Sequence, residues 1–158
     1  MGIALSYRPH PYPPADVVKE IGQEAAKLYP RNSWWSEPVR VLEAPELGVL
    51  GFNKVSLPGY SSKAGGYVKV DQREDLLMMW RDIARVACAL SNWSKRFHVA
   101  WELDLEGEPF GGIDSVGNFS PELHANLQQL LTMSDAPSDT AERDALIAAI
   151  DERYKSRW

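Results

Sequence analysis

The chain has 158 residues, 44% of them hydrophobic and 25% charged, with a mean hydropathy of −0.34; these are ordinary values for one globular domain and argue against disorder and membrane insertion. Lys and Arg number 17 against 22 Asp and Glu, which leaves a net charge of −5 and a pI of about 5.2. That average field repels a phosphate backbone, no basic stripe offsets it, and the expected partner is another protein, basic or neutral, rather than nucleic acid.

Cys88 is the only cysteine, so no intrachain disulfide forms, and its place amid apolar residues predicts a small buried hydrophobe rather than a nucleophile. No apolar run approaches the ~18 residues of a spanning helix, and no basic stretch followed by an apolar one opens the chain. The expectation is a cytoplasmic protein without a membrane segment.

From the N-terminus, Tyr7 to Pro14 holds four prolines in eight positions. Proline lacks a backbone donor and fixes φ, which argues against helix and central strand. Residues 1–14 therefore read as a proline-rich arm laid across the domain through Tyr7 and Tyr12. A helix is expected over Ala15–Tyr29, with Val17, Val18, Ile21, Ala25 and Leu28 on one side and Pro30 as its stop. The adjacent Trp34 and Trp35 cannot both point inward from an extended backbone, so one is expected to be exposed as a binding anchor. Pro38–Glu43 and Leu47–Val55 read as a hairpin across Ala44-Pro45-Glu46.

Residues 56–66, rich in Gly and Ser, read as a surface loop. Lys63 precedes the glycine pair, so the order of a phosphate-binding loop is absent. The loop is nonetheless the best lid over a pocket, with Tyr60 and Lys63 as candidate binding residues and Gly65 and Gly66 as hinges. Tyr67–Val70 is expected to be a short strand.

The organising element is a helix from Asp71 to about Trp93. Asp71 and Glu74 form a capping box, and Leu76, Met79, Trp80, Ile83, Ala87 and Leu90 recur at helical spacing. Leu77, Met78, Val86 and Cys88 fill most of the remaining surface, leaving a narrow wet strip. Met78, Met79 and Trp80 read as core filling rather than a cofactor site, and no cofactor or metal is expected.

Phe97, Val99, Trp101, Leu103 and Leu105 then alternate with His98, Ala100, Glu102, Asp104 and Glu106, the period of a half-buried strand. Glu106 to Pro109 turns the chain, and Phe110–Val116 returns with Gly111 and Gly112 marking a bulge or close backbone approach. Ser120-Pro121 opens a helix through Leu123, Leu127, Leu130 and Leu131. Residues 134–138 read as a linker, and the capping pair Asp139 and Glu142 opens a last helix through Leu146 and Ile150. The sum is a single α+β domain over 1–158, a mostly antiparallel sheet packed against the long central helix with further N- and C-terminal helices.

Two functional readings follow. The first is a non-catalytic protein-binding module of the inhibitor, immunity or adaptor kind, supported by the acidic charge, the lack of catalytic motifs, and an exposed aromatic at Trp34, Trp35 or Trp158. The second is a small enzyme or ligand-binding domain whose polar site is His98, Glu102, Asp104 and, from the returning strand, Asp114. Same-face neighbours on a strand stand about 6.6 Å apart, near enough for Glu102 and Asp104 to act as a pair, while His98 sits roughly 13 Å from Glu102. Alternating charge also serves solubility alone. A third reading, a homo-oligomer subunit, requires a large apolar face on the C-terminal helices.

Overall fold

The structure, a computed structural model, describes residues 2–25, 27, 41–42, 51–52, 55–61, 72–105, 107–134 and 141–155. In chain order these form β1 (Gly2–His10), α1 (Ala15–Ala25), β2 (Val41–Leu42), β3 (Gly51–Phe52), β4 (Val55–Ser61), α2 (Gln72–Phe97), β5 (Ala100–Leu105), β6 (Glu108–Ile113), α3 (Pro121–Ser134) and α4 (Ala141–Lys155). The class is α+β, as the periodicities predict. Four antiparallel strands lie in the order β4-β1-β5-β6, and β2 with β3 forms a separate antiparallel pair. No helix among the described residues is long and apolar enough to cross a membrane.

Two segments depart from the sequence reading. The proline-rich arm is in fact β1, an inner strand of the sheet, and its alternation puts Leu5, Tyr7 and Pro9 in the core while Arg8 and His10 face outward. Proline is tolerated because β4 pairs only with Gly2–Leu5; Pro9 pairs with β5 alone, opposite Trp101, so the missing donor breaks no ladder on the β4 side. The expected loop at 56–66 likewise supplies β4 as far as Ser61. Leu57 pairs with Ile3 and Ser61 with Gly2, so Pro58, Gly59 and Tyr60 bulge from an edge strand, the position where such residues cost least. Of the expected hairpin over 38–55, the described residues show the antiparallel pairs Val41↔Phe52 and Leu42↔Gly51, while Val55 belongs to β4 and residues 43–50 lie outside the described residues. The expected strand at 67–70, the capping residues Asp71 and Asp139 and the linker beyond Ser134 lie outside the described residues.

Helix α2 supplies the centre of the core. Met79, Trp80, Ile83, Ala87 and Leu90 are buried, and Trp93 meets Trp101 of β5 in a tilted pair with ring centroids 6.4 Å apart. Leu5, Tyr7, Leu103, Phe110, Phe119 and Leu123 complete the same cluster from the sheet and α3. The strip expected to be wet is covered for much of its length. Asp82 is 0% exposed and takes two hydrogen bonds from Arg81, while Arg85 reaches Glu142 of α4 and Ser91 donates to the Gly117 carbonyl at 2.6 Å. Buried charge persists only where it is paired, and here the partners come from the same helix and from α4.

The β5–β6 hairpin forms as expected, with a bulge: Leu103 pairs with Gly111 but Asp104 with Pro109, leaving Phe110 as the extra residue. The outer edge of β6 is closed by the start of α3. Gly112 N–H donates to Ser120 Oγ at 3.0 Å, Ser120 N–H returns a bond to the Gly112 carbonyl at 2.9 Å, and Asn126 Nδ2 donates to the Phe110 carbonyl at 2.8 Å. Ser120 Oγ also accepts from Leu123 N–H at 3.1 Å, the N-cap bond that Ser120-Pro121 predicts. One hydroxyl thus caps a helix and seals a sheet edge. Ser120→Ala should cost about 1–2 kcal/mol, read from the shift of a urea unfolding midpoint.

Candidate functional site

The proposed row on the central strand is only half assembled. Helix α2 runs on to Phe97, and His98, at φ 58°, sits in the left-handed conformation that ends it, its N–H still bonded to the Ser94 carbonyl at 2.8 Å. His98 is therefore a helix terminus rather than a strand residue, and β5 begins at Ala100. Alternation alone could not show this, since histidine is one of the few non-glycine residues that accept the left-handed region. Asp114 also leaves the row. Its carboxylate accepts from Val116 N–H at 3.0 Å and Asn118 N–H at 2.8 Å, which folds it back onto the loop after β6.

Glu102 and Asp104 do share a face, and β1 brings them companions that the sequence reading omitted. The register sets Arg8 opposite Glu102 and Ser6 opposite Asp104. Arg8 Nη2 donates to Asp104 Oδ2 at 3.1 Å and lies 3.7 Å from Glu102 Oε2, and His10 Nε2 lies 3.2 Å from the same Glu102 oxygen. The cluster Arg8, His10, Glu102 and Asp104 is thus a cross-strand ladder on the outer face of the sheet. The signal that could have found it is the alternation Leu5, Tyr7, Pro9 against Ser6, Arg8, His10, obscured by the prolines.

Its chemistry follows from exposure. The side chains of His10 and Glu102 are each 59% exposed and Arg8 48%, so water screens them, while Asp104 at 24% is half-buried, and each carboxylate already has Arg8 as a cationic neighbour. Such a surface offers fixed donors and acceptors to a partner. Arg8→Ala should change stability by less than ~1 kcal/mol, and 0.5 M salt should shrink the difference further, as a denaturation series at two ionic strengths would read.

Among the other sequence candidates, Trp34, Trp35, Lys63 and Trp158 lie outside the described residues, and for Tyr60 only the backbone is described, in the bulge of β4. The thiol of Cys88 is pushed up from its ordinary pKa by burial, with the charges of Arg153 and Lys95 pulling it part of the way back. A thiol held protonated is a poor nucleophile, in keeping with its reading as a small hydrophobe. Between α3 and α4, a contact that no motif announces joins His124 Nε2 to Asp151 Oδ1 at 3.0 Å and stacks the same imidazole on Tyr154 at 4.0 Å. Among the described residues no three His, Cys, Asp or Glu side chains are grouped so as to hold a metal ion. Compared with protein-family models, with curated proteins and with solved structures, the chain matches none.

Proposed function

We propose that this chain is a non-catalytic, acidic, cytosolic protein-binding module of the inhibitor, immunity or adaptor kind, with a basic protein as partner. The observation that carries the reading is the state of the charged face: Arg8, His10 and Glu102 stand in open solvent with the half-buried Asp104 beside them, paired across strands, on a sheet whose other face packs into the core. Exposed, pre-oriented polar side chains serve recognition, because a partner meets them without ordering them first. A net charge of −5 favours encounter with a basic surface.

The test is affinity capture from the native host with three baits: wild type, Trp34→Ala with Trp35→Ala, and the charge reversal Arg8→Glu with Glu102→Arg and Asp104→Lys, which keeps opposite charges paired across the strands while reversing what a partner sees. One protein retained stoichiometrically by wild type, weakened by salt and lost at least tenfold with either variant, is the expected result. Absence of any such protein overturns the reading. The alternative is a ligand-binding domain or small enzyme, favoured by one observation, the 3.2 Å contact of His10 with Glu102, since a histidine held by a carboxylate is a usual proton-transfer pair. A small molecule or metal ion that raises the melting temperature in wild type but not in Glu102→Gln would establish it.

A further inference from the structure

The buried surface of α4 differs in kind from the rest of the core. Along its 15 residues only Leu146 and Ile150 are buried apolar side chains, with Ile147 packed partly against the cluster. Most of what fastens it is polar and charged. Near its start Glu142 pairs with Arg85 of α2. Near its end Arg153 donates through Nε to Ser91 Oγ at 3.0 Å and through Nη2 to Asn92 Oδ1 at 2.8 Å, while its own carbonyl accepts from Phe119 N–H at 3.4 Å. In the same last turns Asp151 meets His124 and Tyr154 stacks on the same ring. The largest buried side chains, Trp80, Trp101, Tyr7 and Phe119, all belong to the sheet, α2 and the approach to α3.

From this division we infer that α4 is a releasable latch: it undocks as a unit while the sheet, α2 and α3 stay folded, and so uncovers the stripe of α2 that bears Arg85, Cys88 and Ser91, together with His124 of α3, and frees the exposed Asn92 of its bond to Arg153. Local opening follows the distribution of apolar burial, so a helix held by two buried apolar side chains and a set of charged contacts opens before a core built on tryptophans. Among those contacts the Glu142–Arg85 ion pair weakens as salt rises, whereas apolar burial does not, so ionic strength separates the two kinds of fastening. The device is independent of which partner the protein takes.

Hydrogen exchange read by mass spectrometry tests it on the full chain. The amides of 141–155 are expected to exchange at least tenfold faster than those of 83–93, and to speed up a further threefold or more between 0.05 M and 0.5 M sodium chloride while 83–93 stays unchanged. Arg153→Gln, which removes the guanidinium contacts to Ser91 and Asn92, is expected to quicken exchange in 141–155 about tenfold and leave 83–93 alone. Equal protection of the two segments, or salt and Arg153→Gln altering both in parallel, overturns the latch. Should Arg153→Gln fail to fold, the salt series on wild type decides by itself.

Discussion

Replacing Gly111 with alanine should destabilise the protein by about 3–5 kcal/mol, enough to leave little folded material if its total stability is typical for its size. Two independent effects add. Gly111 has φ 136°, a region that L side chains rarely adopt, which costs on the order of 1–3 kcal/mol. A Cβ there would also lie 2.5 Å from the backbone N and Cα of Leu123 and from its Cβ. That neighbour cannot retreat cheaply, because the start of α3 is fixed to β6 by the reciprocal Gly112–Ser120 bonds and by the cap on Leu123 itself. The overlap adds roughly 1–3 kcal/mol. Gly107 is the control: its φ is 79° but nothing stands within 4 Å of an added methyl, so Gly107→Ala should cost only about 1 kcal/mol. Urea unfolding of the two variants beside wild type reads the contrast, and equal losses would show that α3 shifts to make room.

Alkaline pH should destabilise the protein through Tyr7, and Tyr7→Phe should remove that component. The phenol is buried between the sheet and the helices, and burial pushes its pKa well above its ordinary value. The folded state therefore holds the phenol protonated where the unfolded chain would release the proton. A group raised on folding contributes its full stability below the unfolded pKa, near 10, and loses it as pH climbs towards the folded value. The stability of Tyr7→Phe relative to wild type should therefore rise as pH climbs above 10, at a rate of at most about 1.4 kcal/mol per pH unit. Parallel denaturation curves for the two proteins at pH 8, 10, 11 and 12 measure it. A constant difference across that range would mean that Tyr7 meets solvent in the folded state.

Much of the fold is legible in the sequence because the signals are local. The apolar stripe from Leu77 to Leu90 can be satisfied only by a helix with most of its surface covered, and α2 is that helix. The alternation Trp101, Glu102, Leu103, Asp104 allows only a strand with one wet face, and β5 is that strand. The Ser120-Pro121 cap lies where its chemistry requires, and the glycine pair after Phe110 does mark a bulge and a close approach.

The departures cluster where a distant partner overrides local preference. Prolines in β1 and the Pro58-Gly59 pair in β4 read as arm and loop, yet both segments pair, because the neighbours that make strands of them are some fifty to a hundred residues away in the chain. Side-chain alternation continues through His98 and places it in the strand, while the backbone keeps a helical hydrogen bond up to that residue. The same rule shapes the candidate site. Glu102 and Asp104 are readable on one face from their spacing, but their partners, Arg8 and His10, arrive from a strand whose register only the assembled sheet sets.

Residue order by itself determined the period of each segment, the long apolar helix, the wet and dry faces of β5, the helix starts and the acidic balance, since each depends on neighbours within a turn or two. Tertiary structure decided which charges meet. It carried Arg8 and His10 to Glu102, buried Asp82 and Arg85 inside what looked like a wet strip, and laid Arg153 on Ser91 and Asn92. A side chain's face is set by local geometry, whereas its partner is set by the packing of elements far apart in sequence.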